Sequence, residues 1–259
     1  MKKALKITLI SIIALIAVSA LIIFVFFPGL PTYFHAKDKY EYINVTPKEY
    51  PHADVKTPEN FVETTVFGLT LSIPPELEKN YPDETEGFKG GLYTDVSGES
   101  NTSIIFMENE NSNREFSLSD SIDDSSSEEK ISVSKFNKAV EKLGLKAPEN
   151  YYEFFNLVYT TSLDDFSIHK HGTSAAFLII AEWKEMLYPS YIEVYPFETD
   201  NAIGFIQLLS LPSEKRNSYK MIVELYSKDN LNNCFSAMVG SDDFTTVQQI
   251  VNSAKLLEE

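Results

Sequence analysis

The sequence predicts an α+β fold, an antiparallel sheet packed with helices as an α/β sandwich, preceded by a single N-terminal transmembrane helix. Residues 7–27 contain no charged residue. The last third alternates apolar and polar residues as strands do, whereas the middle and the C-terminus repeat apolar residues at helical spacing. Strands, helices, strands and a final helix, in that order, are typical of helices packed over an antiparallel sheet.

The uncharged segment Ile7–Phe27 has the length of a membrane span, since its 21 residues would form a helix of roughly 31 Å. Lysines precede it at positions 2, 3 and 6 and are expected to stay in the cytoplasm. Val18-Ser19-Ala20 would serve as a cleavage site, but cleavage there would leave LIIFVFFPGL at the new N-terminus. The sequence therefore favours a retained signal-anchor helix over residues 7–30, behind a cytoplasmic tail of residues 1–6.

Residues 31–60 read as an extracytoplasmic stalk, because prolines recur at 31, 47, 51 and 58 among charged residues. The stalk is expected to be largely extended and to carry an extracytoplasmic α+β domain over residues 61–259. The predicted location is the cell membrane, as a single-pass protein with its N-terminus in the cytoplasm and its C-terminal domain outside.

The first strands follow the stalk. In TTVFGLTLSIP, the residues Val66, Leu69, Leu71 and Ile73 predict a strand that ends at Pro74-Pro75. GGLYTD and TSIIFME predict two more strands, separated by the turn-forming VSGESN. The polar segment that follows, NENSNREFSLSDSIDDSSSEEK, predicts a loop.

The middle of the chain predicts three helices. Phe136, Ala139, Val140 and Leu143 have helical spacing, with Ser134 as a cap and Gly144 at the end. Pro148 is expected in the first turn of the second helix, whose apolar face holds Tyr152, Phe155 and Val158. The third helix runs from Ser174 to Leu187, and its apolar composition predicts deep burial against a sheet.

The last third predicts four sequential antiparallel strands, SYIEVYPF, AIGFIQLLS, YKMIVELYS and CFSAMVG, because only short connections separate them. An amphipathic helix closes the chain, with Asp243 or Thr245 as its cap. Its apolar stripe comprises Val247, Ile250, Val251, Ala254 and Leu257. We expect Ile250 and Val251 to be buried against the sheet.

Three of these segments resemble the PsbP-like fold of exported bacterial proteins. They are FGLTLSIP opening a hairpin, the later sheet-building strands, and the closing helix TTVQQIVNSAKL. The resemblance covers residues 61–259 in architecture and implies a docking or assembly role rather than catalysis. It assigns no site residue in this sequence, and the three central helices exceed what it leads us to expect.

Charge and cysteine content narrow the class of partner. The formal net charge is −16; three of the 22 basic residues precede the uncharged segment and all 38 acidic residues follow it, so the remainder carries −19. Such a surface repels nucleic acid and anionic lipid, which predicts no nucleic-acid partner. Cys234 is the only cysteine, so no internal disulfide or CxxC zinc site can form. Few cysteines with many Lys, Asn, Ile and Tyr residues favour an exported bacterial protein.

Candidate chemical sites are few. His169 and His171 are the best metal-like pair, but they stand beside Gly172 in a predicted loop, and a zinc site there would need carboxylate ligands to complete it. Gly172-Thr-Ser174 lacks the glycine that a nucleophile elbow requires. Asp164-Asp165 reads as the start of a helix or turn, and Cys234 as a small core residue.

An acidic run within residues 117–130 could bind calcium, but it has no EF-hand spacing, so a solvated loop is favoured. Its carboxylates are those of Asp120, Asp123, Asp124, Glu128 and Glu129.

The sequence therefore predicts a membrane-anchored extracytoplasmic binding or adaptor domain. Its expected partners are the membrane, through the N-terminal helix, and another protein; no catalytic residue, cofactor or metal is assigned. The alternative is an extracytoplasmic hydrolase or metal-dependent enzyme that uses His169, His171 and nearby acidic residues.

Overall fold

The computed structural model describes residues 2–80, 84–85, 88–95, 97, 100–107, 133–188, 191–209 and 219–257. The chain forms two compact units, and it enters both more than once. Unit 1 comprises Met1–Val45, Leu118–Ala147 and Thr161–Glu185; unit 2 comprises Thr46–Ser117, Pro148–Thr160 and Met186–Glu259.

Unit 2 contains all the described strands. They are β1 (Val62–Val66), β2 (Leu69–Ile73), β3 (Leu77–Lys79), β4 (Glu84–Thr85), β5 (Phe88–Asp95), β6 (Ser103–Met107), β7 (Tyr191–Glu198), β8 (Ala202–Leu209), β9 (Tyr219–Ser227), β10 (Asn230–Ser241) and β11 (Lys255–Leu256). The larger sheet has the order β3-β5-β6-β10-β9-β8-β7, with β4 paired to β5. The smaller sheet has the order β1-β2-β11.

Every strand pair is antiparallel, and β7 to β10 are neighbours in chain order. This confirms the four sequential strands predicted for the last third. The α+β class, with antiparallel sheets packed against helices, is confirmed as well.

The segment TTVFGLTLSIP forms a hairpin rather than the single strand that was predicted. β1 and β2 pair through Val66 and Leu69, and the turn residues Phe67 and Gly68 have φ angles of 51° and 85°. Glycine tolerates this left-handed conformation, and a Cβ at Gly68 would also lie 2.9 Å from the Phe235 ring. The apolar pattern continued through the turn because Val66 and Leu69, on either side of it, are both buried.

The main core of unit 2 lies between one face of the larger sheet, the smaller sheet and helix α6 (Phe244–Asn252). Val247, Ile250 and Val251 are completely buried there, which confirms the predicted burial of Ile250 and Val251. Asp243 caps the helix by accepting from the Thr245 and Thr246 amides, as predicted. Leu257 lies beyond the helix and is 58% exposed, so its predicted place on the buried stripe is wrong.

The opposite face of the larger sheet carries helix α4 (Tyr151–Thr160). Tyr152 stacks on Phe205 of β8 at a ring distance of 5.6 Å, and Tyr159 meets the same ring edge-on at 4.9 Å. Pro148 precedes this helix rather than lying in its first turn. Strands β8 and β9 are therefore covered on both faces within unit 2.

Unit 1 is helical. Its elements are α1 (Lys2–Phe26), α2 (Leu30–Lys39), α3 (Val133–Leu143), a 3-10 turn (Leu163–Asp165) and most of α5 (Ser174–Leu187). The bounds of α5 agree with the sequence prediction. Helix α3 begins at Val133, so Ser134 lies inside it instead of capping it, whereas Gly144 ends it at a φ of +90°.

The described part of α1 exposes apolar side chains around its whole circumference. Leu15, Ile16, Leu21 and Phe24 are 68%, 63%, 65% and 64% exposed. Among the described residues, no single helix meets the length and composition of a membrane span. The bent pair Ser11–Phe26 and Leu30–Lys39, with an 83° angle between them, meets it jointly.

Residues 31–60, predicted to be an extended stalk, are helical over most of their first ten residues. Tyr40 and Ile43 are buried in unit 1, while Tyr50 joins the core of unit 2. Asn252 donates from Nδ2 to the carbonyl oxygens of His52 and Val55 at 2.7 and 2.9 Å. Aromatic residues spaced among the prolines thus fix this segment to the two units.

Candidate membrane interface and buried polar clusters

The C-terminal end of α1 lies against a distant loop, residues 166–173. His169 Nδ1 is 2.9 Å from the Phe26 carbonyl oxygen, and the His169 ring lies 4.8 Å from that of Phe27. The Gly29 amide donates to the Ile168 carbonyl at 2.9 Å. The last carbonyl groups of a helix have no hydrogen-bond donor within the helix. His169 donates to one of these carbonyls when its proton is on Nδ1. The loop therefore caps α1.

Gly29 permits this close approach. A Cβ at this position would lie 3.0 Å from the Ile168 Cα and from two Phe166 ring carbons. Phe166 is buried and its ring packs on Phe177 of α5, so it cannot move away without opening unit 1. A larger residue at 29 would separate α1 from the loop.

Helix α2 turns away from α1 and is fixed to α5. Thr32 Oγ1 donates to Ser174 Oγ at 2.9 Å, and the Tyr40 hydroxyl donates to Glu182 at 3.1 Å. Phe34 remains 52% exposed on α2. The end of α1 is thus followed by a second helix nearly perpendicular to it, with an aromatic side chain on its free surface.

The same loop also reaches the end of α3. Lys170 Nζ lies 3.5 Å from the Leu143 carbonyl, and a Cβ at Gly172 would be 3.3 Å from Lys142 Nζ. Lys142, His169, Lys170 and His171 are all exposed. We call these four residues the basic collar, because three of them belong to the loop that contacts the ends of α1 and α3, and Lys142 lies on α3 beside that loop.

Within the described part of the chain, the predicted metal-like histidines have no acidic cluster beside them. His169 contacts a main-chain carbonyl, and no group of three or more His, Cys, Asp or Glu residues in the described part of the chain could hold a metal ion. Asp165 accepts from the Ser162 amide and hydroxyl at 2.8 and 3.2 Å, so it caps the 3-10 turn. The interpretation of Asp164-Asp165 as the start of a turn is confirmed.

Unit 1 also buries a lysine. Lys184 on α5 is completely buried and donates to the carbonyl oxygens of Thr161 and Ile43 at 2.5 and 3.3 Å. Removal from water disfavours its charged form and lowers its pKa to about 8, although the carboxylate of Asp165 acts in the opposite direction. Lys184 ties three separate chain segments together.

Unit 2 contains a polar cluster between α4 and the larger sheet. Gln207 Nε2 donates to the Tyr159 hydroxyl at 3.1 Å and to Glu224 at 3.3 Å. The Tyr226 hydroxyl donates to the other Glu224 oxygen. Tyr159, Gln207 and Tyr226 are each 1% exposed, and Cys234 lies beside them at 7%.

Glu224 is the titratable centre of this cluster. The residue as a whole is half-buried, yet its carboxylate is surrounded by protein atoms, and this burial raises its pKa despite the donors from Tyr226, Gln207 and Cys234. Burial likewise raises the pKa of Tyr226 well above its usual range. The cluster joins helix α4 to strands β8 and β9 of the larger sheet.

Two polar grooves lie on the surface of unit 2. The first, of about 360 Å³, is lined by Thr65, Thr70 and Asn201 and by the ion pair of Lys255 with Glu63 at 2.6 Å. The second, of about 300 Å³, contains the carboxylates of Glu76, Asp242 and Asp243. Asp243 caps α6 and Asp242 accepts from Asn101, so two of these three carboxylates already have structural partners.

Two other residues considered in the sequence analysis, Cys234 and Ser174, have structural roles. Cys234 is buried in β10, as predicted for a small core residue. Ser174 is the first residue of α5 and accepts from Thr32. The acidic run from Asp120 to Glu129 lies outside the described residues.

No protein-family model matches the chain, and no curated protein matches it. The PsbP-like resemblance stays a prediction.

Sequence reasoning missed Glu224, Gln207 and Lys184. In a strand that alternates apolar and polar residues, the polar residues lie on the face opposite the apolar ones. The sequence pattern is the same whether water or a helix covers that polar face. For Lys184 a signal existed: it shares helical spacing with Phe177 and Ile180, which places it on the apolar stripe of α5.

Proposed function

We propose that this protein is a membrane-anchored extracytoplasmic adaptor, in which α1 crosses the bilayer and unit 2 binds a protein partner without catalysis. The observation that carries the proposal is the exposed apolar circumference of α1 over residues 11–26. An apolar helix exposed all round in water would be strongly unfavourable, whereas hydrocarbon suits it. Lysines at positions 2, 3 and 6 favour a cytoplasmic N-terminus.

A binding role is supported by how the polar groups of unit 2 are used. Glu224 is satisfied by neighbouring side chains, and Asp243 and Glu63 serve a helix cap and an ion pair. These groups support the fold, and the Cys234 thiol that donates to Glu224 is buried with it.

The free edge of β1 is the surface best suited to a protein partner. Among the described strands, β1 pairs only with β2, and Val62 is 52% exposed. An edge strand presents main-chain donors and acceptors that an incoming strand can pair with. Binding by strand addition would need no specialised pocket, which agrees with the modest, polar grooves nearby.

Photo-crosslinking in native membranes tests the proposal. A photoreactive residue is placed at Val62 of the full-length chain, and a matched one at Met186, which is 57% exposed in the same unit. We expect a discrete protein adduct from position 62 in the membrane fraction and none from position 186. Identical adduct patterns from both positions, or recovery of the chain only in the soluble fraction, would contradict the proposal.

The alternative of a hydrolase or metal-dependent enzyme depends on His169, His171 and acidic residues acting together. His169 is committed to capping α1, and the nearest acids in sequence, Asp164 and Asp165, belong to the 3-10 turn. We therefore place the collar in a different role.

A further inference from the structure

We propose that the basic collar, Lys142, His169, Lys170 and His171, binds the phosphate groups of anionic lipids at the membrane surface where α1 ends. The inference rests on the proposed insertion of α1 and adds a lipid class that this site would prefer.

The collar lies at the level expected for lipid headgroups. His169 touches the carbonyl of Phe26, which is the last residue of α1 and is 62% exposed. If the apolar surface of α1 fills the hydrocarbon core, Phe26 and Phe27 lie at its boundary, and the headgroups begin there. The exposed Phe34 on α2 is a suitable interfacial residue, because α2 runs at 83° to α1 and hence close to the membrane plane.

The collar residues come from stretches without carboxylates in an otherwise acidic chain. Residues 142–148 and 166–175 include three lysines, two histidines and no carboxylate, and the first 37 residues of the chain contain no acidic residue. The flanking acids are Glu141, Glu149, Asp164 and Asp165. Since the chain beyond α1 carries −19, an anionic membrane would repel it, and cations at the contact offset that repulsion.

The two collar lysines keep donors for an external anion. Lys39, Lys48, Lys228 and Lys255 each pair with a glutamate. Among the described residues, Lys142 and Lys170 have no ion-pair partner, and Lys170 contacts only the Leu143 carbonyl at 3.5 Å. An ammonium group has three donors, so Lys170 can hold this carbonyl and a lipid phosphate together.

The location of both lysines is fixed by main-chain structure. The C-terminal end of α3 has a partial negative charge, which favours cations beside Leu143 and Gly144. Gly144 and Gly172 both have positive φ angles, of 90° and 73°, and lie close to Lys170 and Lys142 respectively. A side chain at either glycine would occupy the space beside an ammonium group.

The test uses the full-length chain in lipid nanodiscs of two compositions. One contains only zwitterionic lipid, and in the other a quarter of the lipid is an anionic phospholipid. Native mass spectrometry counts the lipids retained on release, and hydrogen exchange is followed in residues 142–146 and 166–173. The variant is K142Q/K170Q. The control is K48Q/K228Q, which removes the same charge from unit 2, and K142R/K170R tests whether charge alone restores binding.

We expect the parent to retain anionic over zwitterionic lipid, and K142Q/K170Q to lose this preference by about fivefold for each lysine removed. The control and the arginine variant should keep it, and exchange in both segments should be slower in anionic nanodiscs. If the parent and K142Q/K170Q both enter the nanodiscs and retain anionic lipid equally, this inference is overturned while the proposed anchoring stands. The same holds if K48Q/K228Q loses the preference for anionic lipid as much as K142Q/K170Q does. Failure of the parent to enter either nanodisc would overturn the proposed anchoring, and this inference with it.

Discussion

Replacing Lys184 with methionine should change how the stability of unit 1 depends on pH. The lysine is completely buried on α5, and its ammonium group donates to the carbonyls of Thr161 and Ile43. Methionine fills a similar volume without a charge, so Lys184→Met removes the cost of burying the ammonium and also leaves these carbonyls without that donor. At neutral pH the two effects oppose each other, and the net change is expected to be small.

The pH dependence separates them. The pKa of Lys184 is about 8 in the folded chain, against an ordinary value of 10.5. Between these values the unfolded chain binds a proton that the folded chain does not, so the free energy of unfolding rises with pH across this window. The gain between pH 7.5 and pH 10 is about 2 kcal/mol for the parent and is absent from Lys184→Met.

The assay is denaturant unfolding in non-ionic detergent, followed by the fluorescence of Trp183. This is the only tryptophan of the chain and lies next to Lys184, 9% exposed, so it reports on unit 1. Comparing the variant with the parent cancels the contributions that other groups titrating in the same pH range make to the free energy of unfolding. Lys138→Met, at an exposed position of α3, is the control and should follow the parent. If the free energy of unfolding depended on pH in the same way for Lys184→Met and the parent, the lowered pKa of Lys184 in the folded chain would be contradicted.

Three further predictions concern unit 2. Ile250→Ala should lower the free energy of unfolding by about 2–5 kcal/mol, measured by far-UV circular dichroism, because the side chain is fully buried under the sheets; a loss below that of Thr245→Ala would contradict it. Glu224→Gln should become more stable relative to the parent as pH rises above the ordinary carboxyl pKa, because the raised folded pKa makes ionisation of Glu224 oppose folding; a pH-independent difference would oppose this. Asp243→Ala should cost about 1 kcal/mol at pH 7 and progressively less as acid protonates the parent's carboxylate, whose pKa the Thr246 hydroxyl lowers; an equal cost at pH 2 and pH 7 would argue against a charged cap.

The parts of the fold that the sequence predicted correctly depend on local patterns. The bounds of α5, the antiparallel order of β7 to β10 and the Asp243 cap each follow from periodicity or from one capping residue. The hairpin at Phe67-Gly68 was missed because Val66 and Leu69, the apolar residues on either side of the turn, are both buried. The segment 31–60 was misjudged because its average composition is that of a linker, whereas Tyr40, Ile43 and Tyr50 individually anchor it.

The candidate site was only partly predictable for a related reason. The sequence placed His169 and His171 in a loop at the start of α5, where they lie. It could not show that His169 meets Phe26, because the two residues are 143 positions apart and no local rule connects them. The same holds for Lys142 and Lys170, which come together only when the loop packs on the end of α3.

The topology of the full-length chain in wall-less cells tests membrane anchoring by α1 most directly. External protease is applied to intact cells and to lysed cells, and a C-terminal tag is followed in the membrane and soluble fractions. If α1 crosses the bilayer and unit 2 lies outside, the tag is in the membrane fraction and is removed from intact cells. A tag that is protected until lysis, or a soluble form whose chain begins near Leu21, would contradict it.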